Sequence, residues 1–241
     1  MSEPVIDAFP ERARPTSSMA KLFRPVLFRE YVDPLVGPLG FVRRGNVYRL
    51  VREPGTGVVV EFQTSTGSRP DSYEFYVNVG LCIRQWTALR KRHLGTTLAD
   101  DPGISVGESV SHHRIERTPY ERLTPAESAH RMAAGERVQD HQLWVVDSVE
   151  ALHQAGAVFR EGFRPSWERL SPLLDPDVLL ARLRAGDPLP ASGPGGEAVF
   201  AVLLADRGEA AEADRVLAAL RHVDDEFGAY VRTLAASRTS A

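Results

Sequence analysis

The chain has 241 residues, 43% of them hydrophobic and 25% charged, with a formal net charge of -3. That length supports a core without metal or disulfide, and the mildly acidic balance argues against general affinity for DNA or anionic membranes. No apolar run reaches the roughly 18 residues of a membrane-spanning helix. The single cysteine, Cys82, has no partner for a disulfide within the chain. With no basic-then-apolar leader pattern at the start, a cytoplasmic location is expected.

Residues 1–18 carry Pro4, Pro10 and Pro15 among charged and small residues without helical or strand period, which predicts a disordered arm. Leu22, Phe23, Val26, Leu27 and Tyr31 then recur at the spacing of one helical face, with Pro25 placed to sit near the first turn or to kink it. Pro34, Gly37, Pro38 and Gly40 end that helix.

From Gly40 to Ile83, β-branched and aromatic residues alternate with polar ones in consecutive runs, the pattern of a three-stranded antiparallel meander. Asn46–Glu53 and Val58–Thr64 form a hairpin through PGTG. A five-residue connection pairs Leu50 with Phe62 and Arg52 with Val60, and sets Arg49 against Gln63; a slip by one residue would send arginine into the core face. On the third strand Phe75, Val77, Val79, Leu81 and Ile83 share one face, and Tyr76, Asn78, Gly80 and Cys82 the other. The sheet thus has an apolar face for helices to cover and a mixed face carrying Arg49, Glu61, Gln63, Tyr76 and Asn78.

IRQWTALRKRHL reads as a short helix and the following residues to Val110 as a loop. HHRIERTPYERL and HQLWVVD supply two further strand candidates, with a capped helix at Thr124 and Glu127 between them. A long helix follows, opened by Asp147 with Glu150 and carrying Val149, Leu152, Phe159, Phe163, Trp167 and Leu170 along one side, with Pro165 expected to kink or divide it. Asp175–Pro176 is an N-cap and first-turn proline for another helix through Leu183. GDPLPASGPGG is a linker, and EAVFAVLLADRG with AAEADRVLAALRHV forms a helical hairpin before a last helical segment.

The expected class is α+β: an antiparallel meander sheet of about four to five strands with helices on one face, followed by a C-terminal helical hairpin. The expected division is a disordered arm at 1–18, an α+β domain at 19–185, a linker at 186–196 and a helical extension at 197–241. The extension could dock on the main domain or join two copies as a homodimer.

Cys82 lacks a local base, and the adjacent His112 and His113 point to opposite faces of a strand, so neither a nucleophile nor a metal site is expected there; His130 and His141 do not change this. No cofactor is implied. Arg84 and the run Arg90, Lys91, Arg92, His93 could touch phosphate, although such runs are normally solvated helix faces. Arg49, Gln63 and Asn78 offer guanidinium and amide groups on neighbouring strands, able to hold a carboxylate, phosphate or peptide backbone. The expected function is therefore a non-enzymatic binding or interaction module using the polar sheet face, with an unidentified protein or small-molecule ligand as partner. An enzyme acting on a small anionic or amide-containing substrate, and a weak nucleic-acid binder, are the alternatives.

GFVRRGNVYR, VEFQTS and FYVNVG, in that order, resemble the bacterial family called domain of unknown function 4304. Gly40, Phe41, Arg43, Arg44, Gly45, Tyr48 and Arg49 match its first segment, Phe62, Gln63 and Ser65 its second, and Phe75, Asn78 and Gly80 its third. Arg114 and Trp144 match more loosely an arginine and a tryptophan-rich strand further on, and Thr64 stands where the pattern carries a basic residue. The likeness runs from about Met19 to Leu183. It implies a fold and a set of recurring positions and no reaction. Arg44, Arg114 and Trp144 join Arg49, Gln63, Tyr76 and Asn78 as candidate binding residues.

Overall fold

The computed structural model describes residues 18–66, 68–115, 142–187, 189, 196–220 and 225–239. The N-terminal arm, the strand candidate beyond Ile115, the helix at Thr124, most of the linker, His130 and His141 lie outside them. Among the described residues, an antiparallel sheet of six strands organises the chain. The strands are β1 Val42–Arg44, β2 Val47–Glu53, β3 Thr56–Thr64, β4 Tyr73–Cys82, β5 Ser111–Arg114 and β6 Trp144–Val146. β1 to β5 follow one another across the sheet, and β6 pairs with the opposite end of β4 from β5.

β1 is a strand the sequence pattern did not announce. Gly45, at φ +63, lets the chain reverse between Arg44 and Val47. The β2–β3 register also corrects the expected one: Leu50 pairs with Val58 and Arg49 with Val59, and the connection is the two residues Pro54 and Gly55. A proline followed by a glycine at φ +84 matches the demands of a type II turn. A bulge between Val51 and Glu53 restores the pairing. The displacement is an even number of residues, so every side chain keeps its expected face.

Two helical layers cover the apolar face. α1 (Met19–Leu27) runs through Pro25 into a π-helical turn, Phe28–Val32, and then α2 (Asp33–Val36). α3 is Arg84–His93 and α4 is Val149–Leu170. Ser148, not Asp147, caps α4 by accepting from the Ala151 N–H. α4 buries Leu152, Ala155, Phe159, Phe163 and Leu170 along one stripe and continues through Pro165 without dividing. The lost backbone bond at Pro165 is offset by contacts on both sides, since each fully buried large apolar side chain contributes roughly 1.5–3 kcal/mol. Phe62 is central: its ring meets Phe28 at 4.8 Å, Phe159 at 5.4 Å and Phe75 at 5.8 Å. Gly156 lets Tyr31 lie on the α4 backbone, where a Cβ would come within 2.1 Å of the ring, and the Tyr31 hydroxyl shares a hydrogen bond with His153 Nδ1.

α5 (Pro176–Arg184) is capped as expected, the Asp175 carboxylate accepting from the Asp177 N–H. α6 (Gly196–Asp206), α7 (Ala210–Ala219) and α8 (Asp225–Thr239) complete the chain. Their apolar residues belong to the same buried cluster as the sheet and α4. Gln85 Nε2 donates to Asp206 at 2.6 Å, the Tyr230 hydroxyl donates to the Gln85 carbonyl at 3.1 Å, and Trp86 meets Phe227 edge-on. No described helix is long and apolar enough to cross a membrane.

Candidate functional site

The pairing register fixes which side chains share the polar face. β1 contributes Val42 and Arg44, β2 Val47, Arg49 and Val51, and β3 Gly57, Val59, Glu61 and Gln63. Tyr76, Asn78, Gly80 and Cys82 follow on β4, then His112 and Arg114 on β5.

A loop between α3 and β5 lies on part of this face. Ile104 forms a small buried cluster with Val59 and Cys82, flanked by Val47 and Val106. Two strand glycines make room for it: a Cβ on Gly57 would stand 2.7 Å from Ile104 Cδ1, and one on Gly80 3.0 Å from Ser109 Cβ. The Cys82 thiol donates to the Ser105 carbonyl at 3.3 Å, and burial, with Glu108 nearby, pushes its pKa up. A thiol held so strongly protonated is a packing group.

Lys91 anchors the loop from beneath. Its side chain is 2% exposed, and Nζ donates to Asp101 at 2.6 Å and Glu108 at 2.9 Å. Ser105 Oγ donates to the other Glu108 oxygen at 3.1 Å. Burial alone would lower the Lys91 pKa, but hydrogen bonds and charge from Asp101 and Glu108 outweigh it and hold it above its ordinary value. The Lys91 hydrogen bond, helped by the Gly103 N–H, holds Asp101 below the usual carboxylate range. The sequence placed Lys91 in a basic run of the kind that is normally a solvated helix face, because it sits between exposed Arg90 and Arg92, and singled out neither Asp101 nor Glu108. The available signal for Lys91 was its spacing of four from Thr87, a buried residue whose hydroxyl donates to the Gly55 carbonyl.

Beside the loop, a cleft of about 960 Å³ opens between the β1–β2 edge and residues 101–105. Arg44, Arg49 and Arg52 line it, with the exposed Val42 and Val51 between them. Arg44 and Arg49 are diagonal neighbours on adjacent strands, roughly 7 Å apart. Arg49 Nε donates to the Ile104 carbonyl at 2.7 Å, which fixes its guanidinium. Arg43, on the opposite face, reaches Asp33 at 3.5 Å, whereas none of the three cleft arginines has an ion-pair partner among the described residues.

The rest of the polar face forms a separate network. Asn78 is buried; its Nδ2 donates to Gln63 Oε1 at 3.0 Å and its Oδ1 accepts from Arg114 Nε at 3.2 Å. Arg114 also donates to Gln142 at 3.3 Å and lies 4.0 Å from the Tyr76 ring centre. The structure therefore joins Gln63, Asn78, Tyr76 and Arg114, and pairs Arg49 with Arg44 instead. Arg49 and Asn78 stand two strands and two residues apart, roughly 12 Å by sheet geometry, with Ile104 over the Val59 row between them. Trp144 is on the apolar face, buried, stacked on Phe75 at 5.8 Å and donating to the Ile115 carbonyl at 3.0 Å.

The two adjacent histidines do face opposite ways. His112 stands beside Gly80 on the polar face; His113 Nε2 meets Ser166 Oγ of α4 at 2.8 Å. No group of three His, Cys, Asp or Glu suited to a metal occurs among the described residues. Of the basic run on α3, Lys91 is turned inward and Trp86 upstream is buried, so the run presents no continuous phosphate-facing stripe.

Several positions quoted for the family resemblance now have physical roles. Gly40 and Gly45 adopt positive φ, and Phe41 packs against Phe163 and Trp167. The buried Tyr48 donates its hydroxyl to Asp33 at 2.7 Å beneath the Arg43 guanidinium. No curated protein and no solved structure matches the chain. Residues 32–142, which hold the sheet from β1 to β5, the α3 loop and both polar clusters, match the family described as Domain of unknown function (DUF4304), and over that segment the chain resembles it.

Proposed function

We propose that this protein is a binding module, without chemistry of its own, that recognises an anionic group on a protein or small-molecule ligand through the polar face of its sheet. The observation that carries this is Arg44 and Arg49 on that face and Arg52 at the bulge beside it, lining one open cleft, with no described carboxylate in ion-pair range of any of them. Lys91 shares the cleft but is bound up with Asp101 and Glu108 in a triad of net charge -1, which with Glu53 leaves the cleft lining one positive charge in excess. Like charges on neighbouring strands are mutually unfavourable, and a bound carboxylate or phosphate would relieve that while accepting paired guanidinium hydrogen bonds. The Gln63–Asn78–Arg114 network supports the same face as a flank, since the one buried amide in it, Asn78, is satisfied on both sides. The lone, buried Cys82 suits a cytoplasmic protein.

Calorimetric titration with a panel of carboxylate and phosphate compounds, acidic peptides among them, tests the proposal, using the wild type, Arg44→Gln and Arg49→Gln. A charge-assisted hydrogen bond is worth about 1.5–3 kcal/mol, so each substitution should weaken an anion that binds by about tenfold or more. Equal binding by all three proteins, or no binding of any anion, would overturn the assignment.

A further inference from the structure

The half of β2 that runs past β1 offers more than charge. β2 spans Val47–Glu53, but β1 pairs only with Val47, Tyr48 and Arg49. Before Val42 the chain leaves the sheet edge: Phe41 turns into the core and Gly40, at φ +93, leads back to the helices. From Leu50 to Glu53, β2 thus has β3 on one side and, among the described residues, no strand on the other. That uncovered edge opens on the cleft, whose lining includes Gly40, Val51, Arg52 and Glu53.

We infer that the cleft takes an extended, acidic segment of a partner protein, which adds as a strand along Leu50–Glu53 of β2. The inference rests on the anion-binding reading above and names its occupant. An exposed sheet edge supplies main-chain hydrogen bonds to an incoming strand, while side chains of alternating direction meet pockets or charges beside it. Here Val42, 65% exposed, and Val51, 46% exposed, provide apolar contacts that a free small anion would leave unused. Arg44, Arg49 and Arg52 select acidic side chains interspersed with apolar ones. Glu53, at the turn end of the same edge, disfavours an unbroken polyanion such as a nucleic-acid strand. A volume of about 960 Å³ is also at the top of the range for drug-sized ligands, roughly 300–1,000 Å³. Natural edges are commonly blunted by short strands and charge, as β1 is with two arginines in three residues; the β2 edge beyond it carries one charge of each sign, Arg52 and Glu53, beside the exposed Val51.

The experiment uses the full chain and synthetic ten-residue peptides in which glutamate alternates with valine. Comparison peptides have lysine for glutamate, N-methylation at alternate backbone nitrogens, or proline at every third position; inorganic phosphate and citrate are the small-anion controls. Fluorescence anisotropy should show binding of the Glu/Val peptide, about tenfold or more weaker for Arg49→Gln and for one N-methylated register. Amide exchange should slow at Leu50–Glu53 in the complex. If the N-methylated and proline peptides bind as well as the parent, or exchange at Leu50–Glu53 does not change, strand addition is overturned while arginine-dependent binding leaves the anion reading intact. Binding of phosphate or citrate without the peptide has the same meaning. Concentration-dependent self-association abolished by Val51→Lys would make a second copy the occupant and overturn the inference. Absence of binding by every probe overturns both proposals together.

Discussion

Replacing Lys91 by methionine tests whether the loop on the polar face is held by charge. Methionine keeps most of the stem volume and removes the ammonium, leaving the Glu108 side chain, 9% exposed, without its cation. Breaking a buried ion pair from one side costs about 3–5 kcal/mol, and the lower end applies because Asp101, 59% exposed, is resolvated at little cost. Lys91→Met should therefore lose about 3 kcal/mol in urea denaturation. The double variant with Glu108→Gln should lose less than the two single variants added together, because the second change removes the stranded charge. Amide exchange across residues 101–110 should accelerate in the single variant as Ile104 leaves Val59 and Cys82. The pH profile has a defined sign. The raised Lys91 pKa means its contribution is complete below about pH 10.4 and fades as pH rises through the folded value. The lowered Asp101 pKa means its contribution is present above about pH 3.9 and is lost as pH falls through the folded value. A cost under 1 kcal/mol, or strict additivity in the double variant, would refute the view that this triad anchors the loop.

Two further predictions concern the apolar face. Gly156→Ala should cost about 1–3 kcal/mol by forcing Tyr31 off α4, and combining it with Tyr31→Ala should cost less than the sum, as read by thermal unfolding. His113 is held neutral, its pKa lowered to about 4 by burial first and then by the Arg169 and His112 charges. The unfolded chain then binds a proton that the folded chain refuses, so stability present above about pH 6.5 should fall as pH drops toward about 4. His113→Gln should flatten that part of the stability–pH curve; an unchanged slope would show that the burial of His113 is not what produces it.

Face assignment was legible in the sequence because strand side chains alternate with period two: Val58, Val60 and Phe62 are buried with Val77 and Val79 as the alternation requires. Register was not, since an even displacement leaves that alternation intact, and only the turn demanded by Pro54–Gly55 decides it. That displacement is what moved Arg49 from Gln63 to Val59. β1 was hidden because three residues with two arginines carry no apolar alternation. The loop was hidden for a different reason: Ile104 and Val106 are isolated apolar residues in a stretch of Asp, Pro, Gly and Ser, and the seat of Ile104 is made by the absence of side chains at Gly57 and Gly80. Of the kink or division that Pro165 led one to expect, division does not occur: the helix runs on from Val149 to Leu170, with Phe159 and Phe163 buried before the proline and Leu170 after it.

The outer edge of β4 is closed by two short strands that meet there from distant parts of the chain, β5 ending at Arg114 and β6 beginning at Trp144. Their facing ends are tied twice, by Arg114 to Gln142 and by the Trp144 indole to the Ile115 carbonyl. Such a tie acts as a clasp at the mouth of a purse, holding the chain at Ile115 and at Gln142 to the same edge of the sheet. The two strands therefore share one closure, and loss of either bond should loosen the facing ends of β5 and β6 together.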